Sequence, residues 1–156
     1  MDGGHDIDTC NTVTERTLFE VFRELQLQGA ALEGMILKPN MVISGKKSAT
    51  QAKADEIAAK TVTVFRRTVP AAVSGIMFLS GGQSEADATA NLNAMNKAYP
   101  NLPWKLSFSY GRALQDGALK TWGGNPANVG TAQKRFIDRA RLNSDACAAK
   151  YMGEAA

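Results

Sequence analysis

GIMFLSGGQSEADATANLNAMNK, residues 75–97, decides how the chain folds. GIMFLS (75–80) is a short apolar run that Gly81-Gly82 interrupts, the pattern of a buried strand ended by a turn. Ser84 then stands as an N-cap with Asp87 three positions on, an imperfect capping box that opens a helix over 84–97. Strand, glycine turn and helix in direct succession make one β–α unit.

The unit recurs on both sides. Upstream, LEGMILK (32–38) is too short for a helix and Pro39 stops it, so it reads as a strand. A loop rich in Gly, Ser and Lys runs from Ser44 to Thr50. A helix over 51–68 follows, with Ala54, Ile57, Ala58, Val62 and Phe65 on its buried stripe. Downstream, KLSFSY (105–110) is a third strand, and Gly111 leads into a helix from Arg112 to about Thr121. A turn at 123–126 precedes a last amphipathic helix over 128–143, and a polar tail over 145–156 ends the chain. Ahead of everything, residues 12–28 form a helix that places Val13, Leu18, Val21, Phe22 and Leu25 on one face, with Gly29 as its stop. Trp104, Trp122 and the methionines read as packing. No linker divides the chain, so 1–156 is one domain.

Helix, then three strand–helix units, implies parallel strands joined by right-handed crossovers. An open doubly wound sheet and part of a (β/α)8 barrel both fit. Three strands cannot close a barrel, and a whole one takes about 250 residues.

Composition narrows the function. The 156 residues are 44% hydrophobic and 21% charged with a net charge of +3, which describes an ordinary globular chain. The basic residues are scattered without interleaved aromatics, which argues against nucleic acid. No apolar run approaches the roughly 20 residues that span a bilayer, which argues against a membrane role, and the acidic MDGGHDID start is no signal peptide. Cys10 and Cys147 read as free thiols in a reducing compartment.

In α/β proteins, chemistry gathers at the C-terminal ends of strands. The three ends here carry Lys38, Ser80-Gly81-Gly82 and Ser109-Tyr110-Gly111-Arg112. Lys38 shares parity with Gly34 and Ile36, so the three face one side. Inside a barrel its ammonium would be desolvated and would lose its proton more readily, ready to attack a ketone. The alternative is a lysine reaching solvent from a strand end. Ser80-Gly81-Gly82 offers bare backbone amides and a hydroxyl before a helix, a phosphate cradle or simply a sharp turn. Arg112 could take a phosphate bidentately or sit in a surface ion pair. Two anion-binding elements and an amine together sketch a site for a phosphorylated carbonyl compound. His5 with Asp2, Asp6 and Asp8 reads as a polar helix start rather than a metal site. Glu33 has the opposite strand parity to Lys38, which points it away from the amine.

LEGMILKPNMV (32–42), RRTVPAAVSGIMFLSGGQSE (66–85) and LSFSYGRALQDGALKTWGG (106–124) closely resemble class I fructose-bisphosphate aldolases, in the family's order and spacing. Weaker similarity extends from DGGHDID (2–8) through SDACAAKY (144–151). The resemblance implies the C-terminal portion of a (β/α)8 barrel, a homotetrameric glycolytic enzyme of the cytoplasm or a plastid, a phosphorylated sugar as substrate, and no metal or other cofactor. It implies Lys38 as the Schiff-base residue, with Ser80, Gly81, Gly111 and Arg112 on the substrate phosphate. It also implies that an aspartate, two lysines and a glutamate on earlier strands lie outside this sequence, and that the C-terminal tail, which ends in a catalytic tyrosine in many members, is missing or altered. The 156 residues alone are then expected to turn over little. The alternatives are a non-catalytic phosphate-binding or interaction module with a half-barrel fold, and a pair of copies joined through open strand edges into an eight-stranded barrel, folded but catalytically poor.

Overall fold

A computed structural model describes residues 2–154. Helix α1 (Ile7–Leu27) comes first, followed by three strands, β1 (Ile36–Leu37), β2 (Gly75–Phe78) and β3 (Lys105–Phe108). Helices α2 (Ala54–Thr68), α3 (Glu85–Ala98) and α4 (Arg112–Trp122) each follow a strand, and α5 (Val129–Cys147) packs on α3 and α4. The strands are parallel in the order β1-β2-β3, with Ile36 opposite Gly75 and Gly75 opposite Lys105. The alternation read from the sequence is therefore the alternation observed.

Register divides the sheet into two faces. Leu37, Ile76, Phe78 and Leu106 are buried on one face beneath the helices. The rings of Phe65 on α2 and Phe78 on β2 stack there with centroids 5.7 Å apart. On the other face Ile36 is 58% exposed and Lys38 is exposed too, while Leu37 between them is 9% exposed. The parity expected of Ile36 and Lys38 holds, whereas Gly34, expected on the same side, lies in a 3-10 turn outside the strand.

Several element boundaries differ from the sequence reading. Residues 32–38 do not form one strand. Leu32–Gly34 curl into a 3-10 turn closed by Gly34 N donating to Ala31 O, and only Ile36–Leu37 pair with β2. The other two strands end at Phe78 and Phe108 rather than at 80 and 110. Helix α1 starts at Ile7 because the Asp6 side chain accepts from Thr9 N. Its buried stripe is Ile7, Cys10, Thr14, Leu18 and Phe22, so Val13 (59% exposed) and Val21 lie outside it. Helix α5 continues to Cys147, which shortens the expected tail. Trp104 is buried, its indole N–H donating to Pro70 O, but Trp122 and Met152 are exposed and pack no core. Gly29 (φ +69) and Gly123 (φ +57) close their helices in the left-handed conformation.

Replacing Phe65 with Ala should remove about 3–5 kcal/mol of stability, because a fully buried ring leaves a cavity under β2. Urea unfolding checks this; a loss below about 1 kcal/mol would mean that the stack contributes little.

Candidate functional site

Backbone bonds lace the three strand ends together. Leu79 N donates to Pro39 O at 3.0 Å, and Ser109 N donates to Phe78 O at 2.8 Å. The residues after β1, β2 and β3 therefore emerge side by side at one end of the sheet. Beyond Lys38 the chain is irregular and mostly buried, with Met41 and Val42 fully enclosed. Thr61 Oγ1 on α2 accepts from Val42 N, and Asn40 Nδ2 donates to Thr14 Oγ1, so side chains of α1 and α2 hold this irregular segment in place.

Ser80 is nearly buried. Its Oγ accepts from Ala113 N, in the first turn of α4, at 3.3 Å. Helix α4 needs that acceptor because its own N-cap is Gly111, which has no side chain. Gly81 (φ +59) and Gly82 (φ +76) are both left-handed, a conformation that a Cβ disfavours. Their turn runs into α3, whose N-cap Ser84 accepts from Asp87 N as expected. Gly111 and Arg112 are exposed at the start of α4, and a Cβ built on Gly111 would meet nothing within 4 Å. Among the described residues Arg112 makes no ion pair.

The site residues stand in three groups. Ser80 and Gly81 meet Gly111 and Arg112 through the Ser80–Ala113 bond. Lys38 adjoins them through its neighbour Pro39, bonded to Leu79. The shielding expected of Lys38 is not present, since the sheet face it shares with Ile36 is open to water in this chain.

Further bonds hold the turns in place. Tyr110 is buried and its hydroxyl donates to Ala88 O on α3; burial pushes its phenol far above the usual range. Glu85, in the first turn of α3, accepts from Gly117 N on α4 at 2.8 Å and from Arg135 Nη2 on α5 at 3.1 Å. Beside it Arg139, 3% exposed, donates to Thr89 and to Glu154.

The N-terminal segment forms a clasp. Gly45 N donates to His5 O and Lys47 N donates to Gly3 O, at 2.9 and 3.0 Å. Asp6 caps α1, Asp8 pairs with Lys60 at 2.5 Å, and Asp2 with Lys46 at 3.6 Å. The acidic groups near His5 thus serve a cap and two ion pairs. Lys46, held by this clasp, lies against Gly82 and lines a cavity of about 440 Å3 with Gly81, Gln83 and Ser84. Neither Lys46 nor Glu85 stands out in the sequence. Their contacts join separate loops and helices, which periodicity along one element does not report. A larger concavity of about 1020 Å3 is lined by α1 and the end of α2, away from the chemistry of the strand ends, so size does not choose the site.

The family model described as fructose-bisphosphate aldolase class-I matches residues 1–156. Fructose-bisphosphate aldolase 2 of Caenorhabditis elegans is 54% identical over 98% of this chain and 42% of its own length. Cytosolic fructose-bisphosphate aldolase 4 of Arabidopsis thaliana is 52% identical, over 99% of this chain and 39% of its own. Names among the relatives include both cytosolic and chloroplastic forms. In structure, the Plasmodium falciparum fructose-bisphosphate aldolase, solved with TRAP and a small-molecule inhibitor, superposes with a TM-score of 0.94 at 47% identity. That match covers 98% of this chain and 44% of the other. The three β–α units are therefore part of a (β/α)8 barrel, and the chain spans about two fifths of the length of the curated relatives it matches.

Ser80→Ala should cost about 0.5–2 kcal/mol, the usual effect of losing a helix N-terminal acceptor, and should speed hydrogen exchange at the Ala113 amide. Unchanged exchange there would show that the hydroxyl does not hold the first turn of α4.

Proposed function

The chain belongs to the class-I fructose-bisphosphate aldolases, and from that membership we propose that its protein cleaves fructose 1,6-bisphosphate reversibly to dihydroxyacetone phosphate and glyceraldehyde 3-phosphate. The Lys38 amine adds to the C2 ketone, and loss of water leaves an iminium. The C4 hydroxyl gives up its proton, the C3–C4 bond breaks, and its electron pair flows to the iminium nitrogen. Glyceraldehyde 3-phosphate leaves first. Protonation of the enamine at C3 and addition of water then free dihydroxyacetone phosphate and the lysine. The iminium is the electron sink, so this route calls for no metal.

Ser80, Gly81, Gly111 and Arg112 hold the phosphate of the ketone half, through amides, a hydroxyl and a guanidinium. The observation that carries this reading is the Ser80–Ala113 bond, which draws the two phosphate-binding turns together beside the end of β1. Anchoring of one phosphate fixes C2 relative to Lys38, and such positioning is a large part of any two-centre reaction. The reading places the protein in glycolysis or gluconeogenesis, as a homotetramer in the cytoplasm or a plastid. No described helix is long and apolar enough to cross a membrane.

The acid–base groups that family resemblance assigns to earlier strands are not among these residues. General acid–base catalysis commonly contributes about 10²–10⁴-fold. The 156-residue chain by itself is accordingly expected to form the Schiff base but to cleave substrate at a small fraction of a relative's rate. Solvent exposure of Lys38 favours a second reading, a module that binds phosphate without covalent chemistry.

Borohydride reduction with dihydroxyacetone phosphate, mapped by mass spectrometry, separates the two. An adduct at Lys38, absent in Lys38→Met, is the expected result. Phosphate binding with no adduct selects the module, and near-normal cleavage by the chain alone contradicts the dependence on outside groups.

A further inference from the structure

Lys46 lies against the turn after β2. A Cβ built on Gly82 would fall 2.6 Å from Lys46 Cε and 2.9 Å from its Nζ, so the lysine lies directly over the bare α-carbon of the proposed phosphate turn. Gly82 is left-handed at φ +76, and its missing side chain is what admits the ammonium. Lys46, Gly81, Gly82 and Ser84 line one cavity of about 440 Å3 together with Asp87, and of the four residues proposed above to hold the phosphate only Gly81 borders it.

The backbone on either side of Lys46 is fixed. Gly45 and Lys47 both donate to the N-terminal segment, and a Cβ on Gly45 would fall 2.2 Å from Gly3 O. The clasp therefore carries the root of a flexible cation to one place and leaves its tip free. Among the described residues the tip has one carboxylate partner, Asp2, at 3.6 Å, with the lysine side chain half-exposed and the aspartate mostly so. Water screens such a pair strongly. A phosphate carrying up to two charges can displace it.

We propose that Lys46 is a further phosphate-binding residue, with its ammonium directed at the phosphate on the Gly81-Gly82 turn and Asp2 competing for it. The proposal rests on the phosphate-cradle reading above and adds a second cation, carried by the loop after β1. Its ligand class is a phosphate monoester of a small sugar. Lys46 acts in binding, and the covalent chemistry stays with Lys38.

Calorimetric titration of the chain with inorganic phosphate, and separately with dihydroxyacetone phosphate, tests it. Lys46→Gln should weaken both ligands about three- to tenfold, as loss of a partly solvated charge-assisted contact does. Lys46→Arg should restore most of the affinity. Asp2→Asn should tighten binding about twofold by removing the competitor. Lys47→Gln, the same charge change one residue away, should leave affinity unaltered. Circular dichroism confirms folding, and these exposed positions carry no core packing. If Arg112→Gln weakens binding while Lys46→Gln does not, the Lys46 inference is overturned and the cradle stands. Equal effects of Lys46→Gln and Lys47→Gln reduce Lys46 to bulk charge and overturn it too. Absence of binding in the unsubstituted chain sinks the cradle reading together with this one.

Discussion

The Ser80 hydroxyl accepts the Ala113 amide hydrogen, and that bond joins the turn after β2 to the first turn of α4. Without it, a helix that begins at glycine would leave an uncapped end facing a turn with two left-handed residues. Both partners are forced by local chemistry. Gly111 has no side chain to cap with, and Ser80 lies buried two residues past the end of β2. Tyr110 and Glu85 reinforce the same junction from either side, bonding to Ala88 on α3 and Gly117 on α4. Strand-end chemistry in this chain is thus a product of helix capping: the groups that could cradle an anion are the ones that close the fold.

Much of this was legible in the sequence because it depends on neighbours along the chain. Ser84 with Asp87, Gly29, Gly123 and the break at Gly81-Gly82 each announce a helix or turn end by residue type alone. Parity placed Ile36 and Lys38 on one side of β1. Length and water were harder. LEGMILK looks like a strand, yet Leu32–Gly34 curl and only Ile36–Leu37 join the ladder with β2, and pairing is a property of the sheet. Helix α1 buries Thr14 and leaves Val13 in water, a choice set by α2 across the interface and invisible to a count of apolar residues. Solvation of Lys38 likewise depends on what faces the sheet, since the lysine's own strand cannot exclude water from it.

The loop after β1 shows the same division from the other direction. Its Gly, Ser and Lys content reads as a connection without pattern. Folded, it is gripped by the N-terminal segment, with Gly45 against Gly3 and Lys46 brought over Gly82. Two segments that carry no chemistry by their own sequence thereby deliver a cation to the turn after β2. Contacts of this kind between loops are specified by the whole fold, which is why function at strand ends is only half readable from strand ends.

At the centre stands the claim that one pocket holds both the amine and the phosphate. A crystal structure of the chain after borohydride reduction with dihydroxyacetone phosphate measures it directly. The account predicts a bond from Lys38 Nζ to the ligand's C2, with its phosphate within hydrogen-bonding distance of Ser80, Gly81, Gly111 and Arg112. Reduced ligand on another lysine, or a phosphate turned away from the Ser80–Ala113 junction, would contradict it.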